Sequence, residues 1–166
     1  MRVMDVLMTL ERTKLANAVR GDSGWEWLFP NVETLHVLSF AMVFGSILMV
    51  DLRLIGFAER NAAVSKLSSE ALPVTWIAYL CAVITGSLLF ISKAHEYFYN
   101  LQFQLKFLCM FLAGVNMLVF HFGAYRRVLA WDRSVPPPTG ARVAGVLSIL
   151  LWLGVITFGR WIGFTT

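Results

Sequence analysis

Val37-Leu38-Ser39-Phe40-Ala41-Met42-Val43-Phe44-Gly45-Ser46-Ile47-Leu48-Met49-Val50 contains no charged residue, and it ends abruptly at Asp51-Leu52-Arg53. With its flanks the run extends from about Phe29 to Gly56. Three stretches of the same kind follow, at about Leu72–Ser92, Phe103–Tyr125 and Ala141–Phe164. Each comes close to the ~20 residues that cross a hydrocarbon core of ~30 Å. A helix satisfies its own backbone groups in lipid, and these continuous runs lack the alternation of a barrel strand. The fold class is therefore all-α: an integral membrane four-helix bundle.

Composition agrees. The chain is 58% hydrophobic and 14% charged, with a mean hydropathy of +0.68, which is far more apolar than a soluble domain. The links at residues 57–71, 93–102 and 126–140 are short, which favours up-down-up-down connectivity. The last contains the stiff spacer Pro136-Pro137-Pro138. Pro73 falls close to the expected start of the second span, where a missing N–H costs least.

Residues 1 to about 22 read as an amphipathic helix, with Met4, Leu7, Met8, Leu15 and Val19 roughly on one side. Such a helix is expected to lie in the membrane interface. The polar break Gly21-Asp22-Ser23-Gly24 follows, and Trp25 and Trp27 then mark a membrane surface. The organisation is thus an interfacial helix and linker over residues 1–24 and a four-transmembrane-helix bundle over residues 25–166. Glu11, Arg12 and Lys14 interrupt the first apolar stretch too early for a cleavable signal peptide.

The net charge of +4 and pI near 9.4 do not indicate nucleic acid, because the basic residues flank the apolar runs and no nucleic-acid-binding motif accompanies them. The partner implied by the composition is the lipid bilayer. Calling the N-terminal side face one, basic residues outside the spans number five there (Arg2, Arg12, Lys14, Arg20, Lys93). Face two has seven (Arg53, Arg60, Lys66, Arg126, Arg127, Arg133, Arg142), so the positive-inside rule favours an external N-terminus. Cys81 and Cys109 lack metal-motif spacing and read as small buried hydrophobes.

Ionisable residues in membrane spans are costly, so those present are functional candidates. His36 follows Phe29 by seven residues, about 10 Å below face one at the helical rise. Lys106 lies about 5 Å inside the third span, and Arg160 is similarly shallow in the fourth. His95 follows the second span at the interface, and Glu33 shares a helical face with His36. Separate helices thus bring His36, His95, Lys106 and Arg160 to one leaflet. Imidazoles from two helices at comparable depth are what a b-type haem needs, with Lys106 and Arg160 suited to its propionates. His36 is either an axial ligand or a structural hydrogen-bond partner, for instance of Glu33. Lys106 and Arg160 equally suit snorkelling to the headgroups.

Near face two, Met110, Met117 and His121 share a stripe of the third helix. Thioether and imidazole ligands suit Cu(I), although Met is also common filler in apolar helices. Asp51 and Arg53 are expected to pair with each other or with Arg126 at the interface. Gly154, Gly159 and Gly163 in the fourth helix imply close packing within the bundle or a contact in a homo-oligomer.

Trp27-Leu28-Phe29-Pro30-Asn31-Val32-Glu33-Thr34-Leu35-His36-Val37-Leu38 and Asp51-Leu52-Arg53-Leu54-Ile55-Gly56 together resemble an uncharacterised bacterial membrane family, domain of unknown function 6644. Tyr125-Arg126-Arg127-Val128, Trp131-Asp132-Arg133, Leu151-Trp152-Leu153-Gly154 and Gly159-Arg160-Trp161 fit it too. The layout is more distantly similar to HemJ-type protoporphyrinogen oxidases and the CopD copper-resistance membrane domain. His36 and Lys106 match a first-span histidine and a third-span opening lysine of HemJ-type proteins, and His121 matches a later histidine. That resemblance implies haem b binding with His36 as a ligand.

The expectation is an integral membrane haem b protein of the bacterial inner membrane, an electron-transfer, cytochrome b-like subunit. His36 is the expected axial ligand and His95 the second, with Glu33, Lys106 and Arg160 around the cofactor and a quinone or redox protein as partner. The alternatives are a HemJ-like porphyrinogen oxidase, or a copper-handling CopD-like protein using His121.

Overall fold

The computed structural model describes residues 3–22, 24–58, 62–133 and 137–165. Arg2, Ser23, Arg60 and Pro136, named above, lie outside them. The elements are α1 (Val3–Glu11), α2 (Lys14–Arg20), α3 (Leu28–Leu54), α4 (Val64–Ser92), α5 (Ala94–Tyr99), α6 (Leu101–Phe122), a 3-10 turn (Ala124–Arg127), α7 (Val128–Trp131) and α8 (Thr139–Thr165). The chain is an all-α bundle, and α3, α4, α8 and a helical stretch covering α6 and α7 are each long and apolar enough to cross a membrane.

The spans pack in the order α4–α3–α8–α6, with α3–α4 and α6–α8 the most extensive pairs and α3–α8 joining them. Apart from a stack of Phe90 on Phe103 near face one (ring centroids 5.5 Å apart), α4 and α6 barely meet. A seam therefore runs between them. Val43, Ala78, Ala113, Trp152 and Val155, one or two from each span, form the central core. A second cluster at face two gathers Leu54, Val64, Val128, Trp131 and Ala141. Gly145 lets α8 approach α3 closely: a Cβ there would come within 3.1 Å of the Asp51 carbonyl oxygen and the Leu54 Cβ. Gly154 meets the Cys109 sulfur in the same way on α6, so that glycine serves packing inside the bundle, whereas Gly163 faces open space.

The expected N-terminal helix is two helices. Thr13 breaks it, because its hydroxyl accepts the Ala16 N–H (3.2 Å) and starts α2 afresh. Gly21 ends α2 at φ +90°, a left-handed turn that closes the helix with little strain only for glycine. These helices pack against the bundle. Leu7, Ala16 and Val19 are buried, and the Arg20 guanidinium donates to the carbonyl of Ser92, the last residue of α4 (2.8 Å). Glu11 accepts the His95 N–H at the start of α5 (2.7 Å).

α4 begins at Val64, eight residues before the expected span, so Pro73 lies well inside it. The early start has a cause in another segment. Ala63 offers no side-chain cap, but Asp132 accepts both the Ser65 N–H and its hydroxyl (2.7 Å each). The Val64 N–H donates to the Asp132 carbonyl (3.1 Å). A carboxylate at a helix N-terminus satisfies orphan donors and complements the dipole. Arg53, 0% exposed, donates to the carbonyls of Ala62 (2.9 Å) and Asp132 (3.2 Å), binding α3 to the same knot.

Partial burial pushes the Asp132 carboxyl up, but the Ser65 N–H and hydroxyl, with Arg133 and Arg53, outweigh it and hold the group below its ordinary value. The fold thus favours the carboxylate. Its contribution is complete above the unfolded-state pKa of about 3.9 and disappears as pH falls through the lower folded value. Asp132→Asn should cost about 1 kcal/mol at neutral pH, the size of a lost helix cap. Thermal unfolding in detergent should show that difference narrowing as the solution is acidified below about pH 4.

Candidate functional site

His36 sits in the upper half of α3, where its ring turns towards α4. Its Nδ1 lies 3.0 Å from the Ala82 carbonyl oxygen and 3.0 Å from the Thr85 hydroxyl. A carbonyl can only accept, and Thr85 Oγ1 gives its own proton to the Cys81 carbonyl (2.7 Å). Nδ1 is therefore the protonated nitrogen, shared between two acceptors. That fixes the tautomer and leaves the lone pair on Nε2. Gly86 makes the approach possible, since a Cβ there would stand 2.9 Å from His36 Cε1.

Nε2 points to α6. Lys106 Nζ is 3.4 Å away, and the same ammonium lies 4.7 Å above the centre of the Phe40 ring. The lysine stem passes Gly159 of α8, where a Cβ would sit 3.4–3.5 Å from it. Phe40 in turn meets the His36 ring edge-on at 5.0 Å and Trp152 at 6.3 Å. Four spans thus contribute to one small polar cluster: His36 from α3, Thr85 and Gly86 from α4, Lys106 from α6, and Gly159 from α8.

The remaining candidate residues lie elsewhere. His95 is on α5, beyond the end of α4, with its ring 5.2 Å from Tyr99. Arg160 is exposed and lies over the Phe164 ring at 5.6 Å. Glu33 is exposed and does not hold His36, whose bonds all go to α4 and α6. Instead Glu33 lies near Tyr97 of α5. Burial first, then the Glu33 and Glu96 charges, push that phenol above its ordinary range. The structure therefore brings His36 and Lys106 together and leaves His95, Arg160 and Glu33 nearer the face-one surface.

Towards face two the spans line a cavity of about 510 Å³. Met110, Met117 and His121 line it, as the stripe on the third span suggested, and His121 stacks on Tyr125 at 5.3 Å. Asp51 lines it as well. The expected pairing of Asp51 with Arg53 or Arg126 is replaced by burial against α8, where the Ser148 hydroxyl bonds it. Its Oδ2 has no partner among the described residues. His36 and Lys106 are not in the cavity wall; Phe40 and Trp152 stand between. Among the described residues, no group of three or more His, Cys, Asp or Glu side chains could hold a metal ion.

The His36 imidazole has the donor chemistry of a metal ligand, with Nε2 unprotonated and 3.4 Å from the Lys106 ammonium. Metal-binding histidines characteristically give their second N–H to a carbonyl or carboxylate, which orients the ring and raises ligand basicity. Lys106 is the movable neighbour, since a long lysine stem can carry its ammonium towards a membrane surface.

Residues 28–165 match a family of unknown function (DUF6644), and the chain belongs to that family. No curated protein and no solved structure matches the chain.

The packing of His36 on Gly86 gives a direct test. Gly86→Ala should cost about 1–3 kcal/mol, as overpacking does, by forcing the imidazole away from Ala82 and Thr85. In a His36→Ala background the same change should cost little. A double-mutant cycle of unfolding in detergent reads the difference as a coupling energy.

Proposed function

We propose that this chain is an integral membrane haem b protein of the bacterial inner membrane, an electron-transfer, cytochrome b-like subunit with His36 as an axial ligand. One observation carries the reading. His36 Nδ1–H is held by Ala82 and Thr85, so a mid-span imidazole keeps its Nε2 lone pair facing the bundle interior. Burying such a group without a role is costly in lipid. Haem b, when bound, supplies one-electron redox chemistry, tuned by its axial ligand and the low-dielectric surroundings.

The chain's own residues divide the remaining work. Thr85 and the Ala82 carbonyl orient the ring. Lys106 gives a partly buried cation that would meet a propionate, releasing Nε2 from its present contact at 3.4 Å. Phe40 packs on His36 and on Trp152, which lines the cavity below. His95, on α5 nearer the face-one surface, is the candidate for a second ligand, and a quinone or redox protein would exchange electrons with the site.

A second reading, HemJ-like porphyrinogen oxidation, is favoured by one specific contact: His36 and Lys106, the two positions of that resemblance, touch. In that case the pair would handle protons of a bound porphyrinogen rather than hold a permanent cofactor. Rescue of a porphyrinogen-oxidase-deficient host separates this reading from electron transfer.

Protein purified in mild detergent should be red, with haem b close to one per chain and a reduced-minus-oxidised spectrum of the b type. His36→Ala should abolish haem retention, and Thr85→Val should weaken it roughly 10-fold, as loss of a ligand-orienting bond does. His95→Ala discriminates one-histidine from two-histidine ligation through the spin state. Haem-replete His36→Ala protein would reject the assignment, and a colourless preparation holding stoichiometric copper would turn attention to His121, Met117 and Met110.

A further inference from the structure

The cavity near face two carries a polar group, Asp51, that the His36 cluster does not use. Its volume of about 510 Å³ falls within the usual range of small-molecule sites. Most of its wall is apolar, and Trp76, Tyr79 and Trp152 supply flat aromatic surface. The hydroxyls of Ser46 and Thr75 bond each other (2.7 Å), and the Asn116 amide donates to the Ala144 carbonyl (3.0 Å). Asp51 differs. It is 6% exposed, one carboxyl oxygen is served by Ser148, and Oδ2 has no partner among the described residues. A buried acceptor left unpaired costs free energy that a donor of suitable position recovers. The carboxyl turns about a soft sp³–sp² torsion, so either oxygen can be presented to the cavity.

Access is sideways. The α4–α6 seam bounds the cavity, and Leu72 and Trp76 on one side and Met117 and Leu118 on the other are exposed. In the membrane that seam faces lipid, so an occupant is drawn from the bilayer. Charge narrows the choice further. Arg126, Arg127 and Arg142 are exposed at this end, and the buried guanidinium of Arg53 is two residues from Asp51. Such a basic end disfavours an ammonium and leaves a neutral hydroxyl as the matching donor.

We propose that this cavity binds an uncharged, lipid-soluble amphipath with an aromatic ring hydroxyl, of the phenol or hydroquinone class, whose O–H donates to Asp51. The ring stacks among Trp76, Tyr79 and Trp152, and the apolar tail leaves through the α4–α6 seam. The site is separate from His36, so it stands whether or not a haem is held there.

The test uses the full chain in lipid nanodiscs, with empty nanodiscs subtracting partition into lipid. The probes are para-decylphenol, its methyl ether para-decylanisole, and decyltrimethylammonium. The phenol should bind about tenfold more tightly than the ether, the scale of one hydrogen bond to a carboxylate. Asp51→Leu should erase that preference. Gly114→Phe should abolish binding of both, because Gly114 lines the cavity and a Cβ there meets nothing within 4 Å. Both probes report on a cavity whose wall does not include His36 or Lys106, which separates this result from any failure of the haem reading. Equal affinity for phenol and ether, tighter binding of the ammonium probe, or undiminished binding by Gly114→Phe would each overturn the proposal. Should Asp51→Leu fail to fold, the phenol–ether comparison and Gly114→Phe still decide.

Discussion

α4 is held at both ends by charges borrowed from distant parts of the chain, and the arrangement of the bundle depends on it. Asp132 sits on its first N–H groups, and Arg20 reaches its last carbonyl. Each charge has the sign that the helix dipole favours at that end, a contribution of about 0.3–1 kcal/mol apiece where exposed. Their larger effect is positional. Asp132 follows α7 and Arg53 donates to its carbonyl from α3, so α3, α4 and α7 meet at face two. α4 is thereby fastened at its ends to α3, to the α6–α8 connection and to the N-terminal helices, without needing a full contact with α6. The lateral seam follows from that economy of contact.

The bundle consequently carries two polar sites with different surroundings. Near face one, aromatic stacking among Phe90, Phe103 and Tyr97 closes the gap between α4 and α6. The His36–Lys106 pair lies in the closed half, where Ala82 and Thr85 direct the imidazole. Near face two the gap is open and Asp51 is incompletely served. Phe40 and Trp152 separate the halves. A closed, pre-oriented imidazole suits a resident group, and an open cavity with an unmatched acceptor suits an exchanging one.

Much of this was legible in the sequence, for identifiable reasons. Span positions follow from apolar runs, which register length directly, so α3, α6 and α8 fall within a few residues of expectation. Depth counting also places His36 and Lys106 in one leaflet, and they touch. Rotation about each helix axis is what a run of uniform hydrophobicity conceals. With apolar residues on every face, nothing in the pattern indicates that His36 turns to Ala82 and Thr85, or that Gly86 clears its path. The spacing to Glu33 pointed to a local partner, yet the interhelical one prevails. Asp51 reads as an interfacial charge because it sits beside Arg53; only the close approach of α8 at Gly145 buries it. The extended start of α4 was equally hidden, since its cap is supplied 67 positions away. A signal for it did exist: Trp131-Asp132-Arg133 places an acid within a basic connection.

The sideways mouth has a bearing on how this protein would be assayed and regulated. A solute that reaches its niche through the hydrocarbon phase is governed by its mole fraction among the lipids, not by its level in the surrounding buffer. Two compounds of identical intrinsic fit would then differ in apparent potency by their partition coefficients alone. Acyl-chain packing, thickness and fluidity at that leaflet would act as tuning variables, so the same polypeptide could respond differently when its host remodels its lipids.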